Sequence, residues 1–161
     1  MTFQQAVNAT PCLQNPDAYR TGLGALREED REHLDIDETK HIGGSVDVDT
    51  ALREAEPGAN RWDYGIAYLH KGESAERIYW VETHTADDSQ VEKVIRKAEW
   101  LRHWLKGKGI RLAGFTRRIV WVSSGATNFK RPLTVPRRKR MAAAGLEHVG
   151  SKLHIRHRQS S

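Results

Sequence analysis

Cysteine is almost missing from this chain: Cys12 stands alone among 161 residues. That excludes an internal disulfide and any zinc centre built on several thiolates, and a lone thiol of this kind is expected to sit partly buried as a small apolar group. Long apolar runs are missing as well. No stretch of eighteen apolar residues and no charged-then-apolar leader occurs, so the expectation is a cytoplasmic protein with no membrane contact. Proline is sparse, at five residues, and no repeat or long low-complexity linker interrupts the chain. Eight histidines are scattered without an HExxH pattern, and the "HIRH" of His154 to His157 is a weak pair in a basic tail. Acid is what the second part of the chain lacks most. Residues 1–92 carry 8 Lys/Arg against 19 Asp/Glu, whereas residues 93–161 carry 18 against 2, leaving a net charge of +5.

What is present is the composition of an ordinary globular protein, 38% hydrophobic and 29% charged, and 161 residues suit one domain better than two. Within one domain, the charge asymmetry predicts an acidic region beside a strongly basic surface. That arrangement is expected where a metal site adjoins a polyanion; the plainer alternative is a solvated basic face without a partner.

Residues 1–16, polar with two prolines, read as a loosely docked arm. Tyr19, Leu23, Leu26 and Leu34 recur between charges and predict a helix over 18–34, weakened by Gly22 and Gly24. Ile42, Val46 and Val48 alternate with polar residues and predict a strand over 42–48, then one or two turns of helix capped by Asp49. "WDYGIAYLH" and "RIYWVETH" are aromatic and β-branched, and the short polar "KGESAE" between them makes a β-hairpin of strands 62–70 and 78–84. Val91, Val94, Ile95, Ala98, Leu101 and Leu105 then mark a helix over 89–106, with Asp88 or Ser89 as cap and Gly107 and Gly109 at its close. "RRIVWVSSG" predicts a buried strand over 117–123, "PRRKRMAAAG" a short helix and "LEHVGSKLHI" a final strand. Trp62, Trp80 and Trp121 fall in strands and read as core. Trp100 and Trp104 read as packing, with stacking on bases as the alternative.

The hairpin carries the chemistry. Opposed residues in an antiparallel pair have numbers that add to a constant, here 145 or 146 for a turn centred near residue 73, so Asp63 faces Glu82 or Thr83. Glu82 and His84, two apart, project from the same face of their strand. Two facing carboxylates repel unless a cation lies between them, and Mg²⁺ is typically held by one or two carboxylates with water and phosphate oxygens completing its shell. The alternative is that both acids sit exposed at strand ends, paired with Arg61, Arg77 or a lysine.

An acid opening one strand, a turn, an acid-x-base triplet closing the next strand, and a helix after it resemble the PD-(D/E)XK nuclease superfamily, the restriction-endonuclease-like fold. The predicted order matches its αβββαβ core over about two thirds of the chain, which implies an α/β protein with a mixed sheet flanked by helices. On this resemblance residues 18–125 form the nuclease-like core and residues 126–161 a basic C-terminal extension. Carried over residue by residue, Asp63 and Glu82 take the place of the motif's metal ligands for Mg²⁺ or Mn²⁺. Trp62 stands where the motif name has proline. His84 stands where the family usually has lysine; an imidazole there can act as a base near neutral pH or ligate the metal, or Lys93 or Lys97 of the following helix can supply the ammonium. The family often adds an acid from its first helix, for which Glu28 or Glu32 is favoured among Glu28, Glu29 and Glu32. Asp47 and Asp49 can also approach from the first strand.

The implied activity is metal-dependent hydrolysis of a phosphodiester in nucleic acid, DNA in preference to RNA, with a homodimer left open. Lys130, Arg131, Arg137, Arg138, Lys139 and Arg140, followed by Lys152, Arg156 and Arg158, then supply sequence-independent phosphate contacts. Two other readings compete. An inactive relative of the same fold that binds nucleic acid or a protein is favoured by the histidine at position 84. A basic adaptor of unrelated fold would use the hairpin acids only to keep strand edges soluble.

Overall fold

Residues 1–159 are described by a computed structural model. In chain order its elements are α1 (Phe3–Asn8), β1 (Tyr19–Arg20), α2 (Glu28–Arg31), β2 (Leu34–Ile36), a 3₁₀ turn (Thr39–His41), β3 (Ile42–Asp47) and α3 (Val48–Ala51). There follow β4 (Tyr64–Tyr68), β5 (Arg77–His84), α4 (Val91–Lys106), α5 (Ile110–Ala113), β6 (Thr116–Ser123), α6 (Val135–Ala144), β7 (Leu146–His148) and β8 (Leu153–Ile155).

Strand alternation explains the layers. The six-stranded sheet runs β1-β3-β4-β5-β6-β7; β1, β3, β4 and β5 pair antiparallel, whereas β6 lies parallel to β5 and β7 parallel to β6. Ile78, Trp80, Ile119 and Trp121 point to one side and join a core with Val94, Ile95, Ala98, Leu101 and Leu105 of α4 and with Phe3, Ala6 and Val7 of α1. Tyr79, Val81, Val120 and Val122 point to the other, where Leu26, Leu153 and Ile155 cover them. The result is an α/β fold with a mixed sheet flanked by helices. Among the described residues, no helix is long and apolar enough to cross a membrane.

The hairpin, the long helix, the strand after it and the basic helix fall where the sequence places them, but other segments do not. Residues 1–16 are no loose arm: Phe3, Ala6, Val7 and Leu13 have no exposed surface, and Thr2 and Gln5 close a reciprocal capping box on α1. Cys12, expected to be partly buried, is exposed and holds a positive φ of 69°. The helix over 18–34 is replaced by β1, a turn with Gly22 at φ +54° and a single helical turn, because pairing of Tyr19 and Arg20 with β3 outweighs a helical pattern already weakened by glycine. Asp47, not Asp49, caps α3, its Oδ1 accepting the Thr50 N–H at 2.9 Å. Neither Asp88 nor Ser89 caps α4: Gln90 holds the cap position without a side-chain bond, while Asp88 accepts the Lys130 N–H at 3.1 Å. The hairpin connection runs through eight residues, 69–76, rather than six. The final strand is two, since β7 joins the main sheet while β8 crosses to pair with β2.

Trp104 is buried, packs edge-on against Trp80 at 6.3 Å and stacks with Trp100 at 6.0 Å. Trp100 itself donates Nε1–H to Glu56, so this pair belongs to the core and not to a base-stacking surface.

Candidate functional site

The hairpin register is the one expected. Tyr64 pairs with Val81 and Gly65 with Trp80, each pair adding to 145, so the next step outward sets Asp63 opposite Glu82. The two acids brace each other through backbone. The Asp63 N–H donates to Glu82 Oε2 at 3.0 Å, and the Thr83 N–H donates to Asp63 Oδ2 at 3.2 Å. One oxygen of each carboxylate is thereby fixed, and the remaining pair, Asp63 Oδ1 and Glu82 Oε1, turn toward a common point. Neither acid sits exposed with Arg61, Arg77 or a surface lysine: Glu82 has no exposed surface and Asp63 has less than a quarter.

The cation at that point is Lys97. Its Nζ lies 3.5 Å from Asp63 Oδ1 and bonds directly to Glu82 Oε1. Of the two lysines the sequence offers, Lys93 is exposed on α4 and does not line the cavity. One helical turn separates the two lysines, and Lys97 is spaced three from Val94 and four from Leu101, both buried. That spacing was a legible signal for the inward-facing lysine.

His84 joins the group from the same face of β5, with Nδ1 3.8 Å from Glu82 Oε1. Gln90 Oε1 accepts from its Nε2 at 2.6 Å, so the neutral ring carries its proton on Nε2 and presents the Nδ1 lone pair to the acids. This use of the Gln90 side chain also accounts for its failure to cap α4.

These residues line a cavity of about 190 Å³ together with Arg27, Asp30, Asp47, Asp49, Tyr64 and Thr83. The acid that α2 contributes is Asp30; Glu28 and Glu32 are exposed and do not line the cavity. Asp30 is held by the Tyr64 hydroxyl, which donates to its Oδ2 at 2.6 Å. Burial and the Asp30 charge raise the Tyr64 pKa, so the phenol remains a donor. No local sequence signal marks Asp30, since its place depends on a contact 34 residues away. Asp47 and Asp49 reach the rim as expected but have local partners: Asp47 caps α3, and Asp49 pairs with Arg61 at 3.0 Å and Arg53 at 3.3 Å.

Negative charge exceeds positive here, with five carboxylates facing Arg27 and Lys97. Burial, then the Asp63 charge, raises the Glu82 pKa well above the usual carboxylate range, against the opposing pull of Lys97. Burial likewise raises Asp63, opposed by Lys97 and the Thr83 N–H. Burial alone would lower Lys97, but Glu82 and Asp63 outweigh it and its pKa is raised. All three groups hold protons more tightly than in water, as expected where two buried carboxylates share one ammonium. Among the described residues the two acids belong to no group of three carboxylate or imidazole ligands within 4.8 Å of one another, so as a metal anchor they would act as a pair, with the other positions open to water or phosphate oxygen.

A pH dependence follows. The acids have folded pKa values above their unfolded ones, so the native state binds more protons and stability falls as pH rises. The contribution is fully present below the unfolded values near about pH 4 and is lost as pH passes upward through the raised folded values. Lys97 does not reverse this, because its charge persists until pH exceeds its unfolded pKa of about 10.4. Urea titrations of the ion-free protein between pH 5 and pH 9 should show stability declining with pH, and the decline should be smaller in Asp63→Asn and Glu82→Gln.

The basic segment is only partly free. Arg140 bonds Glu92 at 2.8 Å and Glu99 at 2.7 Å, and Arg137 lies 3.7 Å from Glu92, fastening α6 to α4. Arg156 is paired with Asp35 at 2.5 Å. Lys130, Arg131, Arg138 and Lys139 are exposed, and among the described residues they form no ion pairs. Comparison of the chain with protein-family models, with curated proteins and with solved structures returned no match.

Proposed function

We propose that the protein is a metal-dependent phosphodiester hydrolase acting on nucleic acid. The observation that carries this reading is the convergence of Asp63, Glu82 and Lys97, with the second oxygen of each acid turned to the one ammonium. The order β3-β4-β5-α4-β6, and the place of the acids on the β4–β5 hairpin, add to the resemblance to the PD-(D/E)XK superfamily, although its first helix has no long counterpart here. Lys97 takes the part of the lysine missing at position 84.

A Mg²⁺ or Mn²⁺ ion held by Asp63 and Glu82 would supply Lewis acidity at a phosphate oxygen and a more acidic bound water. The chain's own groups do the rest. Lys97, beside both acids, would offset charge gathering on phosphate oxygens. With Nε2 committed to Gln90, His84 Nδ1 faces the acids and, in the neutral ring, can accept a proton from a water in the cavity. The small polar cavity suits an ion and one phosphate better than an extended organic ligand. Lys130, Arg131, Arg138 and Lys139 supply the sequence-independent attraction for a polyanion, DNA being the substrate chosen for the first test.

The test is cleavage of plasmid and single-stranded DNA by purified protein. Cleavage is expected with Mg²⁺ or Mn²⁺, absent with EDTA, and faster as pH rises toward 8, because the ion competes with protons for the raised acids. Salt-sensitive DNA binding with no cleavage under any divalent ion would replace this reading with that of a nucleic-acid-binding protein. The displacement of motif lysine by His84 is what keeps that second reading in view.

A further inference from the structure

Histidine use across the molecule singles out one pair. His33, His70, His84, His148 and His154 each place a ring nitrogen in a hydrogen bond, and His103 is exposed on α4. His41 and His157 do neither. Both are half-buried, their rings lie parallel with centroids 3.9 Å apart and 3° between planes, and among the described residues no ring nitrogen of either makes a hydrogen bond. His157 Nδ1 is moreover buried without a partner. A buried imidazole nitrogen with nothing to bind is costly unless something outside the chain claims it.

The third neighbour is Glu38, whose carboxylate likewise bonds no described group. One ligand atom from each of Glu38, His41 and His157 lies within 4.8 Å of the others. Their backbones are held: the His41 N–H donates to the Glu38 carbonyl at 3.0 Å and the Leu69 N–H to the His41 carbonyl at 3.0 Å. The His157 N–H donates to Asp37 Oδ1 at 2.7 Å, and the Lys71 N–H to the His157 carbonyl at 2.9 Å. Ring nitrogens without a partner in the chain leave lone pairs for a metal, which neutral imidazole ligates.

We propose that Glu38, His41 and His157 form a binding site for a divalent transition-metal ion of the zinc class. Two imidazoles and one carboxylate are a borderline donor set that suits Zn²⁺, Co²⁺ or Ni²⁺ rather than Mg²⁺, whose preference is for oxygen. Metal–ligand bonds near about 2.0–2.2 Å set donor atoms about 3.3 Å apart in a tetrahedron, so the side chains close by rotation about fixed backbones. The fourth position faces solvent beside exposed Glu38. The site is separate from the acid pair: His41 precedes β3 and Asp47, on the rim of the acid cavity, ends it, six residues on and roughly 20 Å away at the strand rise. An ion here joins the 3₁₀ turn to the segment following β8, fastening the β2–β8 pair to the main sheet where β3 begins and β4 ends.

The test is titration of chelator-stripped protein with Zn²⁺ by calorimetry and with Co²⁺ by visible absorption. One equivalent is expected to bind at micromolar concentration or tighter, with the intense absorption of low-coordinate Co²⁺. Glu38→Gln should weaken binding tenfold or more and His157→Gln should abolish it, whereas Asp63→Asn/Glu82→Gln protein should bind as the native chain does. Glu38 is exposed, so its replacement leaves folding intact. No zinc binding, equal binding by the Glu38 and His157 variants, or loss of binding in the Asp63/Glu82 variant would each overturn the proposal.

Discussion

Asp63→Asn and Glu82→Gln are each expected to reduce Mg²⁺-dependent cleavage by about a thousandfold or more while leaving the protein as stable as the native chain, or more stable, at pH 8. The two halves of that result belong together. Either substitution removes one of two anchoring charges yet keeps an oxygen where the reciprocal backbone bonds need one, Thr83 N–H to residue 63 and Asp63 N–H to residue 82. Folding at pH 8 carries the cost of ionised carboxylates whose pKa values are raised chiefly by burial, and neutralising one leaves a single carboxylate against Lys97. Groups that serve only folding lose stability when altered; groups held in a strained electrostatic state for an ion's sake do not. The check is paired: initial cleavage rates at saturating Mg²⁺, and urea midpoints at pH 8 without metal. Undiminished cleavage in either variant removes the acids from the reaction. Loss of cleavage together with a loss of several kcal/mol of stability would make them structural.

The hairpin was legible because two independent constraints agree there. Alternation fixes which side chains share a face, and a short connection fixes which residues oppose, so Asp63, Glu82 and His84 could be placed together from letters alone. Helix α4 was legible for a similar reason, and a stricter use of its period would have chosen Lys97 over Lys93. The capping box of Thr2 and Gln5 is also written in the sequence, but two prolines and a polar composition mask the apolar pair Phe3 and Val7. Other features were beyond local reading. Asp30 enters the cavity only because Tyr64 reaches it across the fold. The β2–β8 pairing joins residues more than a hundred positions apart, and His157 finds its partner in His41 rather than in the nearby His154. Charge counting had the opposite weakness: it found the basic half but could not tell Arg140, spent on Glu92 and Glu99, from Arg138 and Lys139.

Beneath the acids lies the residue on which their alignment depends, and Trp80→Ala is expected to cost about 3–5 kcal/mol. Trp80 has no exposed surface and sits two positions before Glu82 on the same face of β5. Its ring occupies the space above Gly65, where a Cβ would come within 2.7 Å of Cζ3, so β4 leaves room for this side chain by carrying none of its own. The far edge meets Trp104 of α4, and Nε1–H donates to Thr116 Oγ1 of β6 at 3.0 Å. One side chain thus sets the spacing of β4, β5, β6 and the helix that delivers Lys97. Truncation leaves a void among rigid neighbours and a Thr116 hydroxyl without its donor, and both terms act in the same direction. Trp80→Phe keeps most of the volume and should cost less, about 1–2 kcal/mol. Urea unfolding followed by circular dichroism measures both. Because α4 would settle toward the sheet and carry Lys97 with it, Trp80→Ala should also lose cleavage beyond what its folded fraction accounts for. A cost below about 1 kcal/mol would mean that the layer repacks freely and that something other than Trp80 holds Lys97 against the acids.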